Sequence, residues 1–233
     1  MLSDVRQCPR GSYLDASALF PEGVFAHVTL KGFENVDPEA LRSFLRERGQ
    51  VVHAVHRVDQ VHSGTVVSAD QSPCPADALV GSAAGEAVRV VTADCVPILL
   101  ANDSGSRYAA VHAGWKGTLA RIVEGAAARV AGGDMAALTA YVGPAIGPCC
   151  YAVDGERFAA FDREFPGWLP PAGSVPTLDL QSINAHMLEA AGVPRDAIHV
   201  EERCTACSLG LCCSYRRDGE RAGRMASLIG RTA

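Results

Sequence analysis

The chain has 233 residues, 48% hydrophobic and 20% charged, a balance that fits a globular fold with a sizeable core and excludes a disordered or fibrous chain. A formal net charge of -5 gives no overall attraction to nucleic acid, and no apolar run approaches the roughly 18 residues that cross a membrane. Residues 1–11 carry charge but no apolar centre of the kind a secretory signal needs, so a cytoplasmic location is expected.

Residues 1–20 read as a lead-in with at most one strand, and residues 24–30 as a strand. Asp37-Pro38-Glu39-Ala40 reads as a helix start. Asp37 would be the N-cap, and Pro38 takes the first helical position, where its missing N–H is not needed. That helix should run to Arg48 and stop at Gly49. Residues 51–58 and 64–69 read as strands, followed by a turn at Ser72-Pro73-Cys74-Pro75. Residues 78–81 and 87–92 bracket another turn. Strands are expected at 96–101 and 108–112, separated by the turn Asn102-Asp103-Ser104-Gly105.

From Thr118 the spacing becomes helical. Leu119, Ile122, Val123, Ala126, Ala127 and Val130 share one stripe that ends at Gly132-Gly133. A strand at 138–142 leads to a tight loop through Gly143-Pro144 and Gly147-Pro148. A helix at 155–165, a proline- and glycine-rich connection at 166–176, a helix at 180–190, a strand at 197–201 and a last helix near 225–229 complete the chain. Nothing repeats and no long linker divides it, so residues 1–233 read as one α/β (α+β) domain, expected to be monomeric. Neither GxGxxG after a strand nor GxxxxGK[ST] occurs, so dinucleotide and nucleoside-triphosphate folds lack support.

Three short pieces carry the informative chemistry: Gln60-Val61-His62-Ser63-Gly64, Thr92-Ala93-Asp94-Cys95-Val96-Pro97 and Val111-His112-Ala113-Gly114-Trp115-Lys116-Gly117. Each lies at or just beyond an expected strand end. Two imidazoles and a thiolate suit zinc, and three protein ligands leave a fourth tetrahedral position open. Copper is compatible with the same donors. The same residues also read as a cysteine nucleophile, Cys95, with His62 or His112 as base. In a third reading zinc merely holds strands together in a binding protein. His53 and His56 compete as ligands, but their spacing puts them on opposite strand faces, so at most one should join His62.

Nine cysteines without a secretory signal argue against a disulfide framework. Within Cys204-x2-Cys207-x4-Cys212-Cys213, the adjacent pair is ill-suited to share one ion if it lies in a strand. These thiols therefore read as buried, with structural zinc as the alternative. Trp115 reads either as a core residue or as a surface on which a flat base could stack. The basic cluster Arg216, Arg217, Arg221 and Arg224 reads as a solvated face or as an anion site.

In these contexts the sequence resembles the multicopper-polyphenol-oxidase-like, laccase-domain family, also described as purine nucleoside phosphorylases and as peptidoglycan editing factors. The matching stretches are Gln60-Val61-His62, Ala76-Asp77-Ala78-Leu79-Val80, Thr92–Ile98, Ala110–Gly117, Gly143-Pro144-Ala145-Ile146-Gly147, Leu178-Asp179-Leu180, Ser214-Tyr215-Arg216-Arg217-Asp218 and Gly223-Arg224-Met225-Ala226. The resemblance implies a layered domain with mixed β-sheets packed between helices. It implies His62, Cys95 and His112 as zinc ligands. It further implies phosphorolysis of a purine nucleoside, adenosine or inosine, with phosphate as the second substrate. Adenosine deamination and methylthioadenosine phosphorolysis are also implied, and older descriptions of the family assign copper-dependent oxidation of polyphenols.

On this reading Cys95, His62, His112 and Asp94 are the catalytic residues, with Asp94 orienting a ligand histidine or handling a proton. Lys116, Trp115, Arg216 and Arg217 would bind substrate. Two stretches depart from the family pattern. Val28-Thr29-Leu30-Lys31-Gly32-Phe33 stands where an Arg-Gly-Gly-Val-Ser-like segment is usual, and Cys212-Cys213 replaces an aromatic pair.

Overall fold

The computed structural model describes residues 4–169 and 175–233. The first three residues of the expected lead-in and residues 170–174 of the proline- and glycine-rich connection lie outside the described residues. In chain order the elements are β1 (Asp4–Cys8), β2 (Gly11–Asp15), β3 (Val24–Thr29), α1 (Pro38–Arg46), β4 (Ala54–Arg57), β5 (Val66–Ser68), β6 (Ala78–Gly81), β7 (Glu86–Thr92), β8 (Val96–Asn102) and β9 (Tyr108–Ala113). Then come α2 (Trp115–Leu119), α3 (Ile122–Ala131), β10 (Leu138–Val142), α4 (Gly155–Glu164), α5 (Leu180–Ala190), β11 (Ile198–Val200), α6 (Tyr215–Asp218) and β12 (Met225–Arg231).

The strands form two six-stranded mixed sheets, ordered β1-β2-β3-β12-β7-β4 and β11-β10-β8-β9-β6-β5. In the first, only β4 and β7 run parallel; in the second, β10–β11 and β5–β6 do. Strand periodicity explains how the sheets stack. In β8, Val96, Ile98 and Leu100 point to one core, while Leu99 and Ala101 point to another. The second core lies between the sheets, where Leu14, Val28, Val88, Val90 and Ile229 of the first sheet meet Leu79, Leu99, Tyr108 and Tyr141 of the second. The outer face of the first sheet is covered by Leu41, Phe44 and Leu45 of α1, and that of the second by α3, α4 and α5. The result is the layered α/β arrangement with mixed sheets between helices.

Local signals account for several boundaries. The Asp37 carboxylate accepts from Ala40 N–H at 2.8 Å, capping α1. The helix ends at Arg46, two residues short of the expected last residue Arg48, and Gly49 follows with φ 73°. The α3 stripe is the expected one, but the expected single helix is broken. Arg121 adopts φ 55°, held by paired contacts to Glu124 at 2.7 and 2.8 Å and to Glu164 at 3.0 Å. That turn separates α2 from α3.

Three expectations are corrected. The lead-in holds two strands, not one. Residues 78–81 and 87–92 do not pair across their turn; β6 and β7 belong to different sheets. The expected last helix near 225–229 is β12, bonded between β3 and β7 at the centre of the first sheet. All but one of its residues are buried, so both faces are apolar and the alternation that marks a half-buried strand is erased.

Candidate metal and anion-binding site

The three informative pieces converge. Ligand atoms of His62, Cys95 and His112 all lie within 4.8 Å of one another, and the imidazole rings meet edge-on at 4.8 Å. Each residue is held differently. His112 is the penultimate residue of β9 and is buried. Cys95 sits in the turn between β7 and β8. His62 is exposed on the loop after β4, with φ 58°. Gly114, which caps α2, closes the floor: a Cβ there would stand 3.0 Å from Cys95 Sγ and 3.3 Å from His62 Cδ2. A side chain there would crowd both ligand residues.

The carboxylate that organises the cluster is Asp77. It is fully buried at the start of β6, where its C=O accepts from His112 N–H at 2.7 Å. Its Oδ1 lies 2.8 Å from His112 Nδ1 and accepts from His62 N–H at 3.0 Å. Its Oδ2 accepts from Ser63 N–H and from the Ser63 hydroxyl. The Nδ1–H of His112 thus points at Asp77, which leaves Nε2 as the atom available to a metal. The backbone bond also holds His62 in its left-handed conformation, one that a β-carbon disfavours.

Electrostatics follow from these contacts. Burial pushes the Asp77 carboxyl up, but His112 and Ser63 outweigh it and hold it at about 2. Burial pushes the Cys95 thiol up as well, yet hydrogen bonds to His112 and His62 bring it down to about 7. Burial opposes a charge on His112, while Asp77 and Cys95 raise it to about 9. Without a metal the pair therefore favours thiolate beside imidazolium. Two nitrogens and one sulfur, an ordering carboxylate and one exposed ligand match a three-ligand zinc site with an open position.

The cluster lines a cavity of about 670 Å³, within the range of small-molecule sites. Arg57, Gln60, Arg89, Tyr151, Tyr215, Arg216 and Arg224 line it as well. Arg57 and Arg89 are direct cross-strand neighbours on β4 and β7. Burial lowers the Arg89 guanidinium to about 10, and the charge of Arg57 adds to this. Its Nε is buried without a hydrogen-bond partner. Arg57 pairs with Asp59 at 2.8 Å, and the charge of Asp37 partly supports that of Arg89; like charges directly opposite on a sheet still repel, and an added anion would offset that repulsion.

The sequence profile of the family described as multi-copper polyphenol oxidoreductase laccase matches residues 34–232. The chain belongs to this laccase-domain family. Curated relatives include purine nucleoside phosphorylase YlmD of Geobacillus stearothermophilus, 38% identical over 170 residues, which are 66% of this chain and 60% of the relative. Purine nucleoside phosphorylase PA4543 of Pseudomonas aeruginosa is 38% identical over 178 residues, 74% of this chain and 72% of that one. The alignment thus spans less than two thirds of the first relative's length. The folds correspond over more of the chain: the crystal structure of G. stearothermophilus YlmD superposes with a TM-score of 0.84 at 29% identity, covering 99% of this chain and all of that one. Bacillus licheniformis YfiH gives 0.83 at 26%, covering 98% and 99%.

Within this laccase-domain framework the other expected site residues separate. Arg216 lines the cavity, its guanidinium fixed by the carbonyls of Cys150 at 3.0 Å and Ala152 at 3.1 Å. Arg217 does not line it. Its guanidinium donates to the carbonyls of Thr205, Ala206 and Cys212 and pairs with Asp218. Lys116 and Trp115 are not among the lining residues either. Trp115 packs against the helix-covered core beneath the Arg157 guanidinium, 4.5 Å away, and Lys116 is exposed beside it. Asp94, with φ 93°, does not orient a ligand histidine. Its two oxygens accept from the Thr205 hydroxyl and Arg216 N–H, both at 2.6 Å. His53 and His56 both reach Glu86, at 3.3 and 3.1 Å, so neither joins His62.

Sequence reasoning passed over Asp77 and Arg89. The sign for Arg89 was a lone charge inside the apolar strand Ala87-Val88-Arg89-Val90-Val91. For Asp77 it was an acidic residue opening the buried strand Ala78–Gly81.

Proposed function

We propose that the chain, acting as one domain over residues 1–233, is a zinc-dependent purine nucleoside phosphorylase acting on adenosine and inosine. The observation that carries this reading is the Arg57–Arg89 pair in the same cavity as the three-ligand cluster. Paired guanidiniums are forked donors suited to a phosphate dianion. The name shared by the curated relatives supports the same reading. In the reaction a phosphate oxygen attacks C1′ of the ribose. The C1′–N bond breaks, its electron pair leaves with the base, and the base takes up the proton that hydrogenphosphate gives up on forming the ester. Ribose 1-phosphate and free base result.

His62, Cys95 and His112 would hold the zinc, which when bound would supply Lewis acidity. Arg57 and Arg89 hold the phosphate, and their charge offsets its desolvation. Arg216 is locked by backbone carbonyls over the Tyr151 ring, 5.3 Å from its centroid, and shapes the wall beside the base. Tyr151 and Tyr215 offer the base flat apolar surface. Asp77 fixes the His112 tautomer. Asp94, with both oxygens engaged, is a positioning residue that joins the Cys95 turn to Arg216.

Deamination of adenosine and phosphorolysis of methylthioadenosine use the same pocket and differ in the nucleophile or in the ribose substituent. Oxidation of polyphenols is less well supported. Among the described residues, only two of the seven histidines meet in a cluster of three or more metal-ligating side chains. The test is incubation of zinc-loaded protein with adenosine or inosine, with and without phosphate. Base and ribose 1-phosphate formed only with phosphate are expected. Inosine from adenosine without phosphate marks deamination. Turnover of neither nucleoside, together with copper-dependent oxidation of a phenol, overturns the proposal.

A further inference from the structure

Four cysteines that this reaction does not use meet beside the Arg216 anchor. Cys149 and Cys150 lie in the turn after Gly147-Pro148, and Cys204 and Cys207 in the segment after β11. The expected partners of Cys204 and Cys207 are not the ones found. Cys212 and Cys213 are buried in the core between the sheets, and Cys149 and Cys150 take their place. All four sulfurs lie within 4.8 Å of one another. Cys207 Sγ stands 3.4 Å from Cys150 Sγ and 3.7 Å from Cys149 Sγ. A Zn–S bond of about 2.3 Å places the sulfurs of a tetrahedral tetrathiolate about 3.8 Å apart. The four thiols stand close to that edge length, and all four are free.

The backbone explains how adjacent cysteines converge. Cys150 N–H and Tyr151 N–H both donate to Gly147 C=O at 3.0 Å, so the segment is a helical turn and not a strand. Neighbouring side chains in such a turn diverge by about 100°, not 180°. Two consecutive residues can then address one point from different sides. Cys204-x2-Cys207 supplies the usual spaced pair, and its turn is closed by Ser208 N–H donating to Cys204 C=O at 3.0 Å. Gly147 N–H donates to Cys204 Sγ at 3.3 Å. A Cβ on Gly147 would stand 3.3 Å from Cys204 Cβ and 3.5 Å from Cys149 Sγ, so the backbone of Gly147 packs closely against the cradle.

We propose that Cys149, Cys150, Cys204 and Cys207 form a second, closed zinc site with a structural role. Four sulfur ligands fill the tetrahedron and leave no position for substrate, unlike the His62, Cys95 and His112 cluster. On binding, the thiols release their protons to solvent and ligate as thiolates. The ion would reinforce two segments already joined by the bridge between Ala145 and Cys204 and by Gly147 N–H donating to Cys204 Sγ. One segment presents the Cys150 and Ala152 carbonyls that fix Arg216. The other carries Thr205, whose hydroxyl holds Asp94 and whose C=O holds Arg217. The site therefore rigidifies the wall of the cavity without touching substrate.

The test is metal counting on full-length protein purified with zinc and a thiol reductant under anaerobic conditions. Wild type should hold about two zinc ions per chain, and Cys204→Ser/Cys207→Ser about one. His112→Ala should also hold about one. Its cobalt-substituted form should show the intense sulfur-to-cobalt charge transfer of a four-thiolate site, and a mercurial titration should release that metal as four thiols react. These last two readouts decide the matter if the double-serine variant fails to fold. A single zinc in wild type, with a count unchanged in the double-serine variant, overturns the proposal. So does a His112→Ala protein that binds no cobalt, a disulfide between two of the four cysteines in the reduced preparation, or iron with acid-labile sulfide in place of zinc.

Discussion

Replacing Asp77 by Asn separates the charge of the buried carboxylate from its shape. Asp77 accepts from four donors: His62 N–H, Ser63 N–H, the Ser63 hydroxyl and His112 Nδ1–H. An amide presents one accepting oxygen and two N–H donors in the same volume. Set one way, its NH2 faces the two donors of Ser63; flipped, it faces His62 N–H and His112 Nδ1–H. Either orientation leaves buried donors unpaired, at about 1–3 kcal/mol each. The ligand histidine also loses its ordering carboxylate, which typically lowers metal affinity about 10- to 100-fold. We therefore expect Asp77→Asn to fold and to bind zinc at His62, Cys95 and His112 about 10- to 100-fold more weakly. A site-specific assay is protection of Cys95 from alkylation across buffered free-zinc concentrations, read by peptide mass spectrometry. A folded Asp77→Asn protein whose half-protection point lies within about twofold of wild type would refute the role of Asp77 as organiser.

Three further outcomes follow from the same geometry. In chelator-treated protein, Cys95 should alkylate with a midpoint near pH 7, below the ordinary thiol value, because His112 and His62 stabilise its thiolate; His112→Gln should move the midpoint up, and an unchanged profile would contradict the pairing. Gly114→Ala keeps an ordinary backbone, φ -74°, but puts a Cβ against Cys95 and His62; overpacking of about 1–3 kcal/mol should weaken zinc by roughly 10- to 100-fold at little change in melting temperature. Arg89→Met should raise the KM for phosphate by roughly 10- to 100-fold, since a hydrogen bond to a charged group contributes about 1.5–3 kcal/mol. The same change should leave thermal stability equal or higher because it removes a like-charge pair; a large drop in melting temperature with an unchanged phosphate KM would make Arg89 structural.

How much of this was legible in sequence depended on the distance between cause and effect. Where the signal was local, boundaries came out well. The Asp37-Pro38 start and the spans Leu138–Val142 and Leu180–Ala190 match the expectations. Where tertiary burial decides, they did not. β12 reads as a plain apolar run because both its faces are covered. β1 is an exposed edge strand with no apolar alternation to reveal it. The break at Arg121 lacks glycine or proline and rests on ion pairs, one of them 43 residues away.

The site divides along the same line, and the division has a physical reason. His62, Cys95 and His112 were candidates by residue type beside glycine-containing turns, and the family resemblance selected them from the seven histidines and nine cysteines as metal ligands. The residues that make them work are chemically ordinary. Asp77 looks like any acid before a strand; its role exists only because β6 pairs with β9 and brings it against His112, 35 positions later. Arg89 becomes an anion ligand only because β4 runs parallel to β7 and places Arg57 opposite it. Cys149 and Cys150 become a metal pair only because a helical turn replaces the strand geometry that would point them apart. In each case an ordinary side chain gains its chemistry from the fold around it. For the acid and the arginine the deciding feature is strand register: one residue along, either would face the opposite side of the sheet, with no change in composition to betray the loss. Shifting the β4–β7 register by one residue, through an insertion in the exposed turn before β4, should therefore abolish phosphate binding while sparing zinc at His62, Cys95 and His112. Titration of both ligands on the insertion variant measures this, and parallel loss of zinc and phosphate would show that the metal ligands and the arginine pair are a single unit.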